Sequence, residues 1–424
     1  MSFVEELNWR GLVHDKMPGI EEELAKGMAS AYVGFDPTAD SLHIGNLVPI
    51  MLLVHFQRHG HKPYALVGGA TGMIGDPSGK SAERQLLSTE TIERNLQAQK
   101  KQLAKFLDFE CGDHSAEIVN NYDWFKEFGF LEFIRDVGKH ISVNYMMAKE
   151  SVKSRLESGM SFTEFSYQLI QGYDFLHLYK EKNCTIQMGG SDQWGNIVTG
   201  TELIRRKAQG EAFALTAPLI KKADGSKFGK SEGGNIWLDK EKTSPYKFYQ
   251  YWLNASDEDM INFIRVFSLK SKDEIEALES EHNEKLGARI LQKALAEELT
   301  ERIHSAEDLK AAIAASNILF GKSTLEDLNS ISENDLLSVF EGVPQGEISK
   351  DAVESGLGSI DALSESTGFL KSKGEAKRAL KENSISVNKQ KVNEEKVLSK
   401  EDLINGKFII FQRGRRNYFL TKVI

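Results

Sequence analysis

Side chains suited to phosphate chemistry concentrate in a few glycine-containing stretches of this chain. The first runs Tyr32-Val33-Gly34-Phe35-Asp36-Pro37-Thr38-Ala39-Asp40-Ser41-Leu42-His43-Ile44-Gly45-Asn46. It opens as an apolar strand and breaks at Asp36, because Pro37 forces an extended or turn conformation on the residue before it. Asp40 and Ser41 are the expected N-caps of a helix carrying Leu47 to His59. His43 and Asn46 then fall in its first turn, where unpaired backbone N–H groups and the positive end of the helix dipole attract anions. Gly45 leaves room for a ligand across that turn. The chemistry implied is a phosphate site between strand and helix, flanked by two neutral hydrogen-bonding side chains.

Three more stretches share this character. Gly68 to Ser81 ends in Gly79-Lys80-Ser81, like a P-loop, but that motif needs glycine where Ile74 stands, and Gly75 is one residue too close. A glycine-rich loop placing Lys80 and Arg84 over phosphates is expected instead. In Gln187-Met188-Gly189-Gly190-Ser191-Asp192-Gln193-Trp194-Gly195-Asn196, glycines allow close approach of a nucleotide and Asp192 can hold ribose hydroxyls. Lys221 to Gly234 is polar, basic and rich in glycine, which predicts a mobile loop. Its Lys227, Lys230 and Ser231 could close on phosphates as charge develops.

The elements that must position these residues follow from hydrophobic pattern. Strands are expected at Ala31–Phe35, Tyr64–Gly68, Glu117–Asn120, Thr185–Met188 and Phe213–Thr216, with helices between them, including Ser88–Phe106 and Thr163–Lys180. Such alternation predicts an α/β fold with a Rossmann-like, doubly wound parallel sheet, whose ligands lie beyond the carboxyl ends of the strands. On the last helix Tyr167, Gln171 and Asp174 share one face, while Phe165, Leu169, Ile170, Phe175 and Leu176 face elsewhere. One polar stripe on an apolar helix points at a ligand, at water or at a buried network.

The 424 residues allow two or three domains. Boundaries are expected at 1–222 for the sheet domain, 223–234 for the loop, 235–319 for a helical domain, 320–355 for a linker region and 356–424 for a small α+β module. A hydrophobic share of 40% and a charged share of 27% are those of a globular protein in water. No run reaches membrane-spanning length, and the acidic start Met1-Ser2-Phe3-Val4-Glu5-Glu6 lacks an export signal, so a cytoplasmic address is expected. Cys111 and Cys184 stand far apart, which argues against a disulfide framework or a structural zinc; no dedicated metal site is expected.

The net charge of −9 is unevenly placed. Residues 371–424 hold 14 Lys and Arg against 6 Asp and Glu, a net +8 that leaves −17 for the rest. A basic module on an acidic body suits a polyanion. Within it a helix carries Lys373, Lys377 and Arg378. Strands are expected at Ile385–Asn388, Phe408–Gln412 and Asn417–Leu420, with Arg413-Gly414-Arg415-Arg416 as a basic hairpin turn.

His43-Ile44-Gly45-Asn46 resembles the first signature of class I aminoacyl-tRNA synthetases, with Asn46 where a second His is usual. Lys227-Phe228-Gly229-Lys230-Ser231 resembles the second signature. With Tyr32 and Asp36-Pro37-Thr38 upstream and an S4-like RNA-binding module at the end, the chain is similar to the bacterial tyrosyl branch of that class. The resemblance implies a tyrosine–tRNA ligase that uses ATP with Mg²⁺, L-tyrosine and tRNA(Tyr), and a homodimer. It gives Tyr32 and Asp174 the phenolic hydroxyl, and Asp76, Tyr167 and Gln171 the ammonium. It gives Asp36, Gly45, Gly190, Asp192, Gln193 and Lys230 to ATP and the adenylate. Thr38, His43, Asn46, Lys80, Arg84, Lys227, Lys230 and Ser231 would act on the reacting phosphates, and Lys373, Lys377, Arg378, Arg413, Arg415 and Arg416 on RNA. The aromatic stretch Trp124–Ile134 suits either a dimer interface or core.

Overall fold

The computed structural model describes residues 1–78, 86–156, 159–226, 228–231, 234–320, 324–340, 343–414 and 417–424. The chain forms two compact units, Met1–Lys242 with Asn254–Ile303, and Thr243–Leu253 with His304–Ile424. The expected helical domain 235–319 is therefore shared out between the two units rather than standing alone.

The first unit is built on a six-stranded sheet of β1 (Asp15–Lys16), β2 (Ser30–Phe35), β3 (Lys62–Val67), β4 (Glu117–Asn120), β5 (Ile186–Gly190) and β6 (Phe213–Ala217). Their order is β1-β6-β5-β2-β3-β4, parallel throughout except for β1 at the edge. Chain order reverses at β2, so a crevice opens at the carboxyl ends of β2 and β5. Register sets Tyr32 opposite Gln187, the last pair before the two strands part toward the crevice. The strands β2, β3, β5 and β6 are nearly all buried, as expected of parallel strands covered on both faces.

Two helices frame the crevice. Leu47–Arg58 follows β2 and buries ten of its residues. Phe162–Lys182 precedes β5; Ser161 caps its first turn by accepting the Glu164 N–H, and Asn183, in the left-handed region at φ 51°, ends it. Its Leu169, Phe175, Leu176 and Leu178 join the core with Tyr32, Tyr64 and Ile204. The helix crosses Trp194–Leu203 at Gly172 and Gly200. A Cβ on Gly200 would sit 2.9 Å from Phe175 Cβ, so only glycine permits this approach. The stripe Tyr167, Gln171 and Asp174 is thereby pressed toward the carboxyl ends of the strands.

Within this unit, the end of the helix Asp257–Phe267 and the residues just after it are capped by guanidinium groups. Arg10 donates to the carbonyls of Arg265, Ser268 and Lys270, Arg58 to Leu269, and Arg302 to Phe267. They answer carbonyls that a helix end leaves without partners.

In the second unit, helices Pro245–Leu253 and Ala306–Phe320 pack together. A five-stranded sheet runs in the order Gln390–Lys391, Ile385–Val387, Phe408–Arg413, Asn417–Val423 and Gln345–Ile348. Its core gathers Ile348, Val353, Leu363, Ala376, Leu380, Ile385, Phe411 and Phe419. The segment expected as linker folds into this unit. Helices Leu325–Asn329 and Glu333–Val339 attach to the sheet's loops through Asn329 to the Asn405 N–H (2.7 Å) and Glu333 to Lys407 (2.7 Å).

Candidate active site

A cleft of about 840 Å³ opens at the carboxyl ends of β2 and β5. Tyr32, Asp36, Thr38, His43, Gly45, Asn46, Asp76, Tyr167, Gln171, Asp174, Gly190, Asp192 and Gln193 all line it. Residues up to 161 positions apart in sequence are thus brought to one place. Lys80, Arg84 and Lys227 lie outside the described residues; Lys230–Ser231 forms a short strand paired with Gly234–Asn235.

At one end the cleft carries Asp174, buried at 1% exposure. Its carboxyl accepts from Asn121 Nδ2 (3.0 Å) and Trp124 Nε1 (2.9 Å). Burial nevertheless pushes its pKa up to about 8, because loss of hydration outweighs two neutral donors. Tyr32, equally buried, has its phenol raised well above the ordinary value by burial and then by Asp174. The Tyr32 hydroxyl and the side-chain oxygens of Gln171 and Gln187 have no hydrogen-bond partner among the described residues. Buried polar groups of this kind are costly unless something pairs with them.

Beside this end lie two carboxylates. Tyr167 Oη donates to Asp36 Oδ2 (2.8 Å) and Thr71 Oγ1 to Asp36 Oδ1 (2.6 Å). Burial, followed by Asp36 and Asp76, raises the Tyr167 phenol well above its usual range. Asp76 accepts from the Ser78 N–H (2.9 Å) and from Gln193 Nε2 (2.7 Å), and Asn196 Nδ2 bonds Gln193 Oε1 at 3.2 Å. This acidic pocket suits a cation. Asp36, expected on the nucleotide side, is bonded to Tyr167 and so belongs structurally to this group.

The far end is built by the His43 segment, and here the expected caps are corrected. Asp40 instead pairs with Lys242 (2.6 Å), and Ser41 Oγ takes a bond from Gln102 (3.0 Å). His43 itself is the N-cap of a 3₁₀ turn, Ile44–Asn46, that leads into Leu47–Arg58. Its Nδ1 accepts the Gly45 N–H (3.0 Å), while Asn46 Oδ1 accepts the His43 N–H (3.0 Å). A Cβ on Gly45 would stand 2.7 Å from His43 Cε1. Asn46 thus has a structural duty that its amide oxygen fulfils. With Nδ1 accepting, the proton of a neutral His43 resides on Nε2.

Two described residues of the Lys221–Gly234 stretch, Ala223 and Phe228, are anchored to the helix Asp257–Phe267. Phe228 stacks on Phe267 (5.3 Å between centroids) and packs on Phe263 (5.1 Å), and the Ala223 N–H bonds Asp259 (2.7 Å). Just after it, the Ile44 N–H donates to Ile236 O and the Leu238 N–H to Leu42 O, both 2.9 Å. Trp237 sets its ring edge-on to His43. Residues 42–44 are therefore tied by backbone bonds to residues 236–238, just beyond the second signature.

In the second unit Lys373 pairs with Asp361 (2.8 Å) and Glu365 (2.9 Å), and Arg413 with Glu375 (2.7 Å). Lys377 and Arg378 are exposed on the helix Lys373–Lys381; Arg415 and Arg416 lie outside the described residues. Sequence reasoning missed Thr71, Asn121, Trp124, Gln187, Asn196 and Trp237. Asn121 was findable, since it directly follows β4, where ligands of such sheets gather. Trp237 carried no local signal.

A family model described as tRNA synthetases class I (W and Y) matches residues 25–321, and one described as the tyrosine–tRNA ligase SYY-like C-terminal domain matches 335–421. The tyrosine–tRNA ligase of Flavobacterium johnsoniae is 61% identical over 429 residues, covering 100% of each chain. That of Bacteroides fragilis is 61% identical over 426 residues, 99% of each. A C-terminally truncated mitochondrial tyrosyl-tRNA synthetase from Aspergillus nidulans shares 30% identity at a TM-score of 0.68, over 75% of this chain and 94% of that one. Fold and site together define a class I tRNA synthetase of the tyrosyl and tryptophanyl kind. Within that class the chain belongs to the bacterial-type tyrosine–tRNA ligase family.

Proposed function

We propose that the chain joins L-tyrosine to tRNA(Tyr) in two steps in this cleft. The observation that carries the reading is the buried Asp174 carboxyl, held by Asn121 and Trp124 beside the Tyr32 hydroxyl. A phenol entering there pairs with both groups, and phenylalanine leaves them unpaired. Asp76, Tyr167 and Gln171, with Asp36 behind Tyr167, take the ammonium. The tyrosine carboxylate oxygen then attacks the α-phosphorus of ATP, which enters with Mg²⁺, and the bond to pyrophosphate breaks. In the second step a ribose hydroxyl of the terminal adenosine of tRNA attacks the tyrosyl carbonyl, and AMP leaves.

No side chain serves as a covalent nucleophile. Catalysis is alignment together with donors aimed where phosphate charge grows. His43 Nε2–H and Thr38 act from the β2 side, with Asn46 fixing the His43 backbone; Lys80, Arg84, Lys227, Lys230 and Ser231 act from the loops. Asp192 and the close approach at Gly190 serve the ribose, and Gln193, bonded to Asp76, the region of the reacting carboxylate.

The same reading makes the enzyme a cytoplasmic homodimer. Phe125, Phe128 and Phe133 pack inward on Tyr173, whereas Phe130, Leu131, Ile134, Val143 and Phe162 stand exposed. Large side chains left in water on adjoining elements favour a covering partner. No helix among the described residues is long and apolar enough to cross a membrane.

The deciding experiment is amino-acid-dependent ATP–pyrophosphate exchange with tyrosine, phenylalanine and tryptophan, without tRNA. Exchange with tyrosine alone is expected. Exchange with tryptophan overturns the phenol pocket, and none with any of the three overturns the activation chemistry.

A further inference from the structure

Among the described residues the Asp174 carboxyl has two donors, and they are held very differently. Asn121 is locked on both sides: its Oδ1 accepts the Ala70 N–H (2.7 Å), and its Nδ2 also reaches Thr71 Oγ1 (3.1 Å). Trp124 sits on a four-residue turn, Tyr122–Phe125, and an indole has a single N–H. Once that N–H is given to Asp174, only packing on the ring can fix the plane of the indole.

That packing comes from His177. Its imidazole lies on the Trp124 ring at 4.4 Å between centroids and 19° between planes. His177 is also three residues beyond Asp174 on the same helix, so the two side chains project from one face. One takes the N–H at the indole's edge and the other covers its flat side. Tyr173 stands behind the imidazole at 6.2 Å.

We infer that His177 is a positioning residue for tyrosine recognition, holding the Trp124 N–H on the Asp174 carboxyl through its stacked ring. The inference rests on the phenol reading of Asp174. It assigns His177 a share in choosing tyrosine over phenylalanine, although the imidazole touches Trp124 and not the substrate. A flat ring is what the role requires, so phenylalanine at 177 should serve and alanine should not.

The test uses full-length wild type, His177→Ala, His177→Phe, Trp124→Phe and the double variant Trp124→Phe/His177→Ala in tyrosine- and phenylalanine-dependent ATP–pyrophosphate exchange. Loosening one hydrogen bond to a carboxyl changes selectivity by about tenfold. His177→Ala should therefore raise KM for tyrosine about tenfold, lower the tyrosine-to-phenylalanine ratio by a like factor and leave kcat within about twofold. His177→Phe should restore most of the ratio. The double variant should match Trp124→Phe alone, because the imidazole acts through the indole. An unchanged ratio in His177→Ala, a loss that His177→Phe does not restore, or a double variant worse than Trp124→Phe overturns the inference. Thermal melts of each variant separate these results from a loss of fold, which would depress both substrates together. Failure of the wild type to exchange with tyrosine would sink the functional reading itself, and is distinct from all of these.

Discussion

Asp174 shows how one buried group ties stability to pH. Its carboxyl titrates near 8 in the fold, against an ordinary 3.8. The folded protein thus binds more protons than the unfolded chain between about pH 4 and 8, and stability falls as pH rises through that window. The shift corresponds to a loss on the order of 5 kcal/mol across the window. Asp174→Asn lacks this titration. The gap in unfolding free energy between wild type and variant, from urea melts, should therefore move against the wild type from pH 5 to pH 9; a constant gap refutes the assignment. His43→Ala removes a donor from the phosphate end and should slow adenylate formation by roughly 2–4 kcal/mol in barrier. Tyrosine affinity, measured by equilibrium dialysis, should hardly change. At this scale much was legible: Tyr167, Gln171 and Asp174 revealed themselves by sharing a helix face. The caps did not, because Asp40 and Ser41 are taken by Lys242 and Gln102, partners remote in sequence.

Strands β2 to β6 were readable to within a residue or two, since each apolar run is bounded by proline, glycine or a polar cluster, whereas Asp15–Lys16 and Gln345–Ile348 carry no apolar run and were not expected. The tightness of the crossing between Phe162–Lys182 and Trp194–Leu203 was not readable. Gly200 looks like any helical glycine until Phe175 is found against it. Gly200→Ala should destabilise the protein by about 1–3 kcal/mol in urea melts, through overpacking. It should also weaken tyrosine binding, because the polar stripe shifts with its helix. The second signature was read as a mobile basic loop because glycines and lysines dominate it. Phe228, its one apolar residue in the signature, packs on Phe263 and Phe267, from a helix whose end is capped by arginines from three others. Phe228→Ala should lower the rate of activation more than it raises KM for tyrosine, and steady-state exchange would show this.

Over the whole molecule, charge divides the labour. A net +8 beyond residue 370 stands against −17 before it, and Lys377 and Arg378 are exposed with no acidic partner in an ion pair among the described residues. Reversing both to glutamate should weaken aminoacylation and its salt dependence while leaving tyrosine-dependent exchange intact, since phosphate contacts dominate binding to RNA. Equal loss in both assays would place these residues outside the RNA surface. The composition showed the basic module; it could not show that 325–340 folds into the same unit, because short helices among serines and acids resemble a linker.

The backbone bonds between residues 42–44 and 236–238 bear on how the chain could be divided. The turn from Ala223 to Ser226 is exposed; the Lys222 N–H bonds Ser226 O across it, and the Ala223 N–H is held by Asp259. A break between Lys222 and Ala223 would leave residues 42–44 still bonded to 236–238, just beyond the second signature. Fragments 1–222 and 223–424, produced together, should therefore reassemble and regain tyrosine-dependent exchange that neither shows alone, making the peptide bond at that point dispensable to an enzyme whose two signatures it connects.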